Sequence, residues 1–166
     1  MKYSLTCFLF LLFMISSAQT TYFVDNLIGE DLNNGEDQAT PFKTLNRVNQ
    51  LHLKPGDSVL FKRGGNWQGH LIPQGSGKKG QRIVIGAYGK GNPDRPVKKA
   101  GILVLAKDIG TLSDFKFENL KISNVNGSLK TRENGGLFLK IIADSISEKR
   151  VPTNFEGIYV NNCYFL

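Results

Sequence analysis

The chain has 166 residues and a formal net charge of +7, a length that fits one domain. It holds two cysteines and two histidines, too few and too scattered for a zinc site, and Cys163 has no partner for an internal disulfide once Cys7 is assigned to a leader. The charge is concentrated between residues 54 and 99, where ten bases face two acids (Asp57 and Asp94); that block points to an acidic partner, with a solvated face as the alternative.

Residues 1–18 read as a secretory signal peptide. Met1-Lys2 gives a positive start, Phe8 to Ile15 an unbroken apolar run, and Ser16-Ser17-Ala18 a small-residue cleavage site. The run is short of the ~20 residues that span a bilayer, so a lone membrane anchor is the weaker reading. The expectation is therefore a secreted protein, extracellular, periplasmic or at the cell surface, with no membrane insertion after cleavage. For an exported protein an anionic polysaccharide is a more available partner than nucleic acid.

Tyr22 to Asp25 predicts a strand, and "GEDLNNGED" (Gly29 to Asp37) a polar turn. The turn lacks the spacing and distal Glu of a calcium-binding EF-hand, so no metal is assigned to it. A helix of about 12 residues is expected next. Thr40 would cap it, Pro41 suits its first turn, Phe42, Leu45, Val48 and Leu51 or Leu53 share one face, and Lys54-Pro55-Gly56 stops it.

Ser58 to Lys62 predicts a strand, followed by "RGGNWQG". Here Arg63, Trp67 and His70 form the candidate substrate-binding cluster: a fork donor, the sole Trp to stack on a sugar ring, and a titratable group. The alternative is that Trp67 packs a cap against the first coil and His70 is incidental. "GSGKKG" (Gly75 to Gly80) lacks the upstream Gly of a phosphate loop, since that position is Ile72. Asn126 heads an N-x-S glycosylation pattern.

Short strands are expected at Arg82 to Ile85, Ile102 to Leu105, Phe115 to Ile122, Leu137 to Ile142 and Ile158 to Phe165. No hairpin dipeptide joins neighbouring runs. "FKFENLKI" (Phe115 to Ile122) is echoed by "IYVNNCYF" (Ile158 to Phe165): Phe117 matches Val160, Asn119 matches Asn162, Leu120 matches Cys163 and Ile122 matches Phe165. In both, the apolar alternation slips by one at the Asn. A slip turns the following side chains to the other face unless the backbone bends there, and Asn tolerates the left-handed bend. Two bent strands with Asn at the corner fit the coils of a parallel β-helix, whose equivalent Asn residues stack.

The stretch from Tyr22 to Gly69 (strand, G-x-D-x-x-x-G turn, "PFKTL", "KPGD", strand) resembles the N-terminal segment of secreted right-handed parallel β-helix proteins with a pectate-lyase-like fold. "GQRIVIGAYGKGNP", "GGLFL" and "PTNFEGIYVNNCYF" extend that resemblance over most of Tyr22 to Leu166. It implies an all-β solenoid: an N-terminal cap segment over residues 19–81 with one amphipathic helix, then the first coils over 82–166, incomplete at the C-terminal end. Many such proteins are polysaccharide lyases or glycoside hydrolases. The resemblance implies a lyase-like enzyme on an anionic polysaccharide when full length, this piece being inactive; a binding module for acidic glycans, or a glycoside hydrolase on the same scaffold, are the alternatives. It leaves the catalytic residues unassigned, and it admits a Ca²⁺ ion in the full-length protein without a motif for one here. For hydrolysis, Asp108, Asp114 and Glu118 are the carboxylates that neighbouring coils would present, with solvated side chains as the plainer reading.

Overall fold

The structure is a computed structural model that describes residues 18–90, 97–98, 102–107, 111–122, 137–142 and 154–165. Nearly all of the expected signal peptide, and the sites at Asp108 and Asn126, lie outside the described residues. In chain order the elements are β1 (Thr21–Val24), α1 (Leu45–Val48), β2 (His52–Leu53), β3 (Ser58–Lys62), β4 (Asn66–Trp67), β5 (Gln74–Gly75), β6 (Ile83–Tyr88), β7 (Val97–Lys98), β8 (Ile102–Lys107), β9 (Thr111–Ser113), β10 (Phe115–Glu118), β11 (Lys121–Ile122), β12 (Leu137–Ile142), β13 (Asn154–Glu156), β14 (Tyr159–Asn161) and β15 (Tyr164–Phe165).

Every pairing between these strands is parallel. The largest sheet runs β1-β3-β6-β10-β14, and a second runs β4-β7-β11-β15. Both orders follow the chain. Each pass of the polypeptide adds one strand to the growing edge of each sheet, so neighbours in the sheet are far apart in sequence. Parallel partners need such long connections, which explains the missing hairpin turns.

The register lines up the core. Tyr22, Val59, Ile85, Phe117 and Val160 form one row across the large sheet. Val59, Ile85 and Phe117 are fully buried. Ile83 and Phe115 pair in the adjoining row, also fully buried. Phe115 and Phe117, two residues apart on one strand, stack their rings at 6.0 Å. The alternation of "FKFE" is what points both rings inward and Lys116 and Glu118 outward.

The Asn corners are real. Asn119 and Asn162 both take left-handed backbone, with φ of 58° and 50°. The bend ends β10 and starts β11, and it corrects the parity: Phe117 before it and Leu120 and Ile122 after it are all buried. One pass on, 43 residues later, Asn162 Nδ2 donates to Asn119 Oδ1 at 2.7 Å. The sequence echo and the structural register coincide, since Phe117 pairs with Val160 and Ile122 with Phe165.

The expected helix is much shorter than its pattern. Phe42, Leu45, Val48 and Leu53 are all buried, so the apolar face was correctly identified. The backbone around it has other partners. Phe42 bridges Val24, its N–H bonding the Phe23 carbonyl and its carbonyl accepting from Asp25 N–H, both at 2.9 Å. His52–Leu53 is drawn into a strand against Gln74–Gly75. One turn of helix remains, capped by Thr44 instead of Thr40. Asp31 fixes that cap, accepting from the Lys43 and Thr44 N–H groups and from the Thr44 hydroxyl. Partial burial pushes the Asp31 carboxyl up, but these hydrogen bonds outweigh it and hold it below its usual value. Gly35 completes the motif: with φ of 73° it lies against the Phe42 ring where a Cβ would collide, and its carbonyl accepts from Phe23 N–H. The G-x-D-x-x-x-G turn is thus a lid over the outer edge of β1.

Replacing Asn119 by Ala is expected to cost about 2 kcal/mol, from left-handed strain plus a lost hydrogen bond, and Asn119→Gly about 1 kcal/mol, because Gly keeps the bend. Urea unfolding of the two variants measures this; equal losses would mean that the bend itself contributes nothing.

Candidate functional site

The three residues singled out beside the "SVLFK" strand do not form one surface. Trp67 is buried, 4% exposed. Its Nε1 donates to the Lys43 carbonyl at 3.0 Å, and its ring meets Phe61 edge-on at 5.1 Å. In β4 the alternation puts Asn66 outside and Trp67 inside. The reading of Trp67 as a platform for a sugar ring is therefore corrected: it ties the capping turn to the core. His70 is exposed, and its carbonyl accepts from Asn49 Nδ2. Arg63 is half-buried, its N–H bonded to the Tyr88 carbonyl.

The outward face of the large sheet brings together more chemistry. The register places Lys116 between Val84 and Tyr159, and Glu118 beside Asn161. Lys116 Nζ lies 2.7 Å from Glu118 Oε2. The Arg82 guanidinium sits 3.9 Å above the centre of the Tyr159 ring, and its Nε is 3.9 Å from Asp114 Oδ1. Two cations, two carboxylates and a half-exposed aromatic ring thus occupy one face across three passes of the chain. A sugar offers hydroxyls to such donors and acceptors and apolar C–H faces to a ring. Asp114 and Glu118 were legible as candidates; Arg82, Lys116 and Tyr159 were not named, although the 43-residue echo sets Lys116 beside Tyr159.

Geometry limits what the two carboxylates do. They stand four residues apart along one chain segment, roughly 13 Å at ~3.3 Å per residue. A glycosidase pair sits ~5–9.5 Å apart. Across the sheet, Glu118 is flanked by Asn161 on one side and lies over Gly86 on the other, so neither neighbouring strand supplies a second acid. The spacing of its carboxylates does not suit this face to two-acid cleavage of a glycosidic bond. Among the described residues no group of three or more His, Cys, Asp or Glu side chains is arranged to hold a metal ion.

The same outward face is closed at its other end by Tyr88, 7% exposed, whose ring receives Phe23 edge-on at 5.0 Å and Lys62 Nζ at 5.0 Å. Its hydroxyl is buried without a hydrogen-bond partner among the described residues. Burial, with a smaller contribution from the Asp25 charge, pushes the phenol up to about 12.

No protein-family profile matches the chain. Over 86 residues, 49% of this chain and 5% of the relative, it is 36% identical to a lacto-N-biosidase of Bifidobacterium longum subsp. longum. Its structure is similar to the selenomethionine and native crystal structures of a GH136 lacto-N-biosidase from Eubacterium ramulus, each with a TM-score of 0.64 and 24% sequence identity over 88% of this chain and 34% of that one. The chain thus spans about a third of the solved proteins and a small part of the curated relative. The structural likeness establishes a shared fold, mostly β with parallel sheets.

Two measurements follow from the buried aromatics. The single Trp is expected to resist iodide quenching, and added glycan should leave its emission unchanged; quenching or a glycan-induced shift would return Trp67 to the surface. In a tyrosinate absorbance titration one phenol should ionise near pH 12 and be missing in Tyr88→Phe. Because the folded value lies above the unfolded one, near 10, the neutral phenol favours folding below pH 10, and that stability is lost as pH rises towards 12. At neutral pH Tyr88→Phe should be neutral or stabilising by about 1 kcal/mol, since it removes a buried hydroxyl without a partner.

Proposed function

We propose that the chain is part of an exported, glycan-hydrolysing enzyme built on a right-handed parallel β-helix, and that it contributes glycan-binding surface to that enzyme. The observation that carries this reading is the 36% identity to a lacto-N-biosidase over 86 residues. It favours the glycoside hydrolase over the lyase first expected from the pectate-lyase-like resemblance. A lyase would abstract a proton beside a uronate carboxylate, and nothing in the relatives' names calls for a uronate. The parallel, chain-ordered sheets and stacked Asn corners support the β-helix. Export rests on the leader-like residues 1–18.

The binding surface is the outward face of Arg82, Asp114, Lys116, Glu118 and Tyr159. Arg82 and Lys116 offer donors, Glu118 and Asp114 acceptors, and each cation is already balanced by a carboxylate. Paired charges of this kind suit a neutral sugar, whose hydroxyls donate and accept, better than a polyanion. The described members of the basic block also lie on separate turns and strands: Lys54, Lys62 and Arg63, Lys78 and Lys79, Arg82, Lys90, and Lys98. The anionic polysaccharide partner is accordingly the second reading, carried by charge alone. The catalytic pair of acids lies on other strands of the complete enzyme, because the spacing of Asp114 and Glu118 is too wide.

Titration calorimetry of the 166-residue chain with a lacto-N-biose-terminated oligosaccharide and with an oligouronate tests this. The neutral sugar is expected to bind, about tenfold more weakly in Arg82→Ala and in Glu118→Gln. Salt-sensitive binding of the uronate alone would replace this reading with an acidic-glycan module; binding untouched by either substitution would move the site off this face.

A further inference from the structure

Asn34 precedes Gly35 in the polar turn that covers the outer edge of β1. An asparagine before a glycine can react with its own backbone. The next main-chain nitrogen lies beside the side-chain amide carbon, and glycine has no Cβ to obstruct the approach. The asparagines of this region differ in how far the structure allows that reaction. Asn33 is followed by a residue with a side chain, and its Nδ2, the nitrogen that would leave, donates to the Pro41 carbonyl at 2.9 Å. Asn26 is followed by Leu27, and its Oδ1 is buried without a hydrogen-bond partner among the described residues. Asn34 is exposed, and its Oδ1 accepts from the Glu36 N–H at 3.2 Å and from the Thr40 hydroxyl at 3.3 Å. A backbone N–H can only donate, so the atom facing Glu36 is the amide oxygen. The Gly35 N–H has no acceptor among the described residues.

We propose that Asn34 is a site of self-modification, in which the Gly35 backbone nitrogen closes onto Asn34 Cγ and the product loosens the cover of β1. The Gly35 nitrogen gives up its proton to water and forms a bond to Cγ. The Cγ–Nδ2 bond breaks, and Nδ2 takes up a proton and leaves as ammonia. The product is a five-membered cyclic imide. Water then opens the ring at one of its two carbonyls. Opening at Cγ gives an ordinary aspartate; opening at the main-chain carbonyl gives isoaspartate, with the chain rerouted through the side chain. Water is consumed, ammonia is released, and nothing is oxidised or reduced. The donors on Oδ1 stand where negative charge develops as the nitrogen attacks, so the turn stabilises the transition state of its own cyclisation. The isoaspartyl product adds a main-chain carbon, about 1.5 Å of chain, just before a tightly held residue. The Gly35 carbonyl accepts from Phe23 N–H at 2.7 Å, and the Gly35 Cα lies so close to the Phe42 ring that a Cβ would collide. The added length displaces Gly35 from these contacts and frees the Phe23 N–H on the edge strand. This inference stands apart from the glycan reading, which concerns the outward face and not the cover of β1.

The test incubates the 166-residue chain in mildly alkaline buffer, folded and in parallel unfolded in urea, and follows the tryptic peptide ending at Lys43 by mass spectrometry. Each event adds about 1 Da, as NH₂ is replaced by OH. Fragmentation assigns it to Asn34, and enzymatic methylation of the freed α-carboxyl scores isoaspartate. Asn34 is expected to convert at least as fast in the folded chain as in the unfolded one. Thr40→Val should slow the folded reaction about 3- to 10-fold, as for one hydrogen bond lost from the transition state, and leave the unfolded rate unchanged. In the isoaspartyl chain the Phe23 amide should exchange about 5-fold faster or more, as for one lost hydrogen bond. Asn34→Asp, with the same charge on an unextended backbone, should keep the parent rate. The proposal is overturned if Asn34 converts more slowly folded than unfolded, if Thr40→Val slows both states alike or neither, or if isoaspartate at this position leaves Phe23 exchange unchanged.

Discussion

Among the described residues, the named strands close their hydrogen bonds by lying against the chain one pass later. None of the named strands has a hairpin partner, so the register between passes carries the whole architecture. That register is fixed where side chains admit a single answer. A shift of one residue would send Phe117 to solvent and Lys116 to the core. The Asn119–Asn162 contact closes the same question at the corner, because a left-handed residue cannot slide along a strand.

From that constraint follows what was legible. The alternation of "FKFE", the parity slip at Asn119 and its echo at Asn162 gave strand, bend and register together, because each is a local pattern repeated by the stack. The helix was over-read for the opposite reason. Its apolar spacing was correct, since Phe42, Leu45, Val48 and Leu53 are all buried, but periodicity reports which side chains go inside and not what the backbone bonds to. Phe42 was recruited by Val24 and His52–Leu53 by Gln74–Gly75, contacts that no window of local sequence contains. Composition shows the turn only as polar, whereas Asp31 and Gly35 shape it into the cover of β1.

The candidate site was less legible than the fold. A lone Trp near a Gly-rich turn is chemically conspicuous, yet Trp67 is a packing residue whose indole N–H donates to the Lys43 carbonyl. The face that gathers charged and aromatic groups is assembled from Arg82, Asp114, Lys116, Glu118 and Tyr159, drawn from three passes. Their meeting depends on how long each pass is, and pass length varies: Ser58 pairs with Val84, Ile83 with Phe115, and Lys116 with Tyr159. Only the last interval left a recognisable echo, so only that adjacency could be read from the sequence.

Stack geometry also bears on where acid–base chemistry belongs. Parallel neighbours are ~4.8 Å apart, so carboxylates at equivalent positions on adjacent or next-adjacent passes fall ~5–10 Å from one another. That spans the separations of both retaining and inverting glycosidases. Four residues along one strand give ~13 Å, which suits neither. A glycosidase on this scaffold therefore draws its two acids most directly from different passes, and the outer row that holds Glu118 has Gly86 and Asn161 at the places where a partner would stand. Within that row the described passes supply donors, acceptors and a ring, but no second carboxylate at a glycosidase separation.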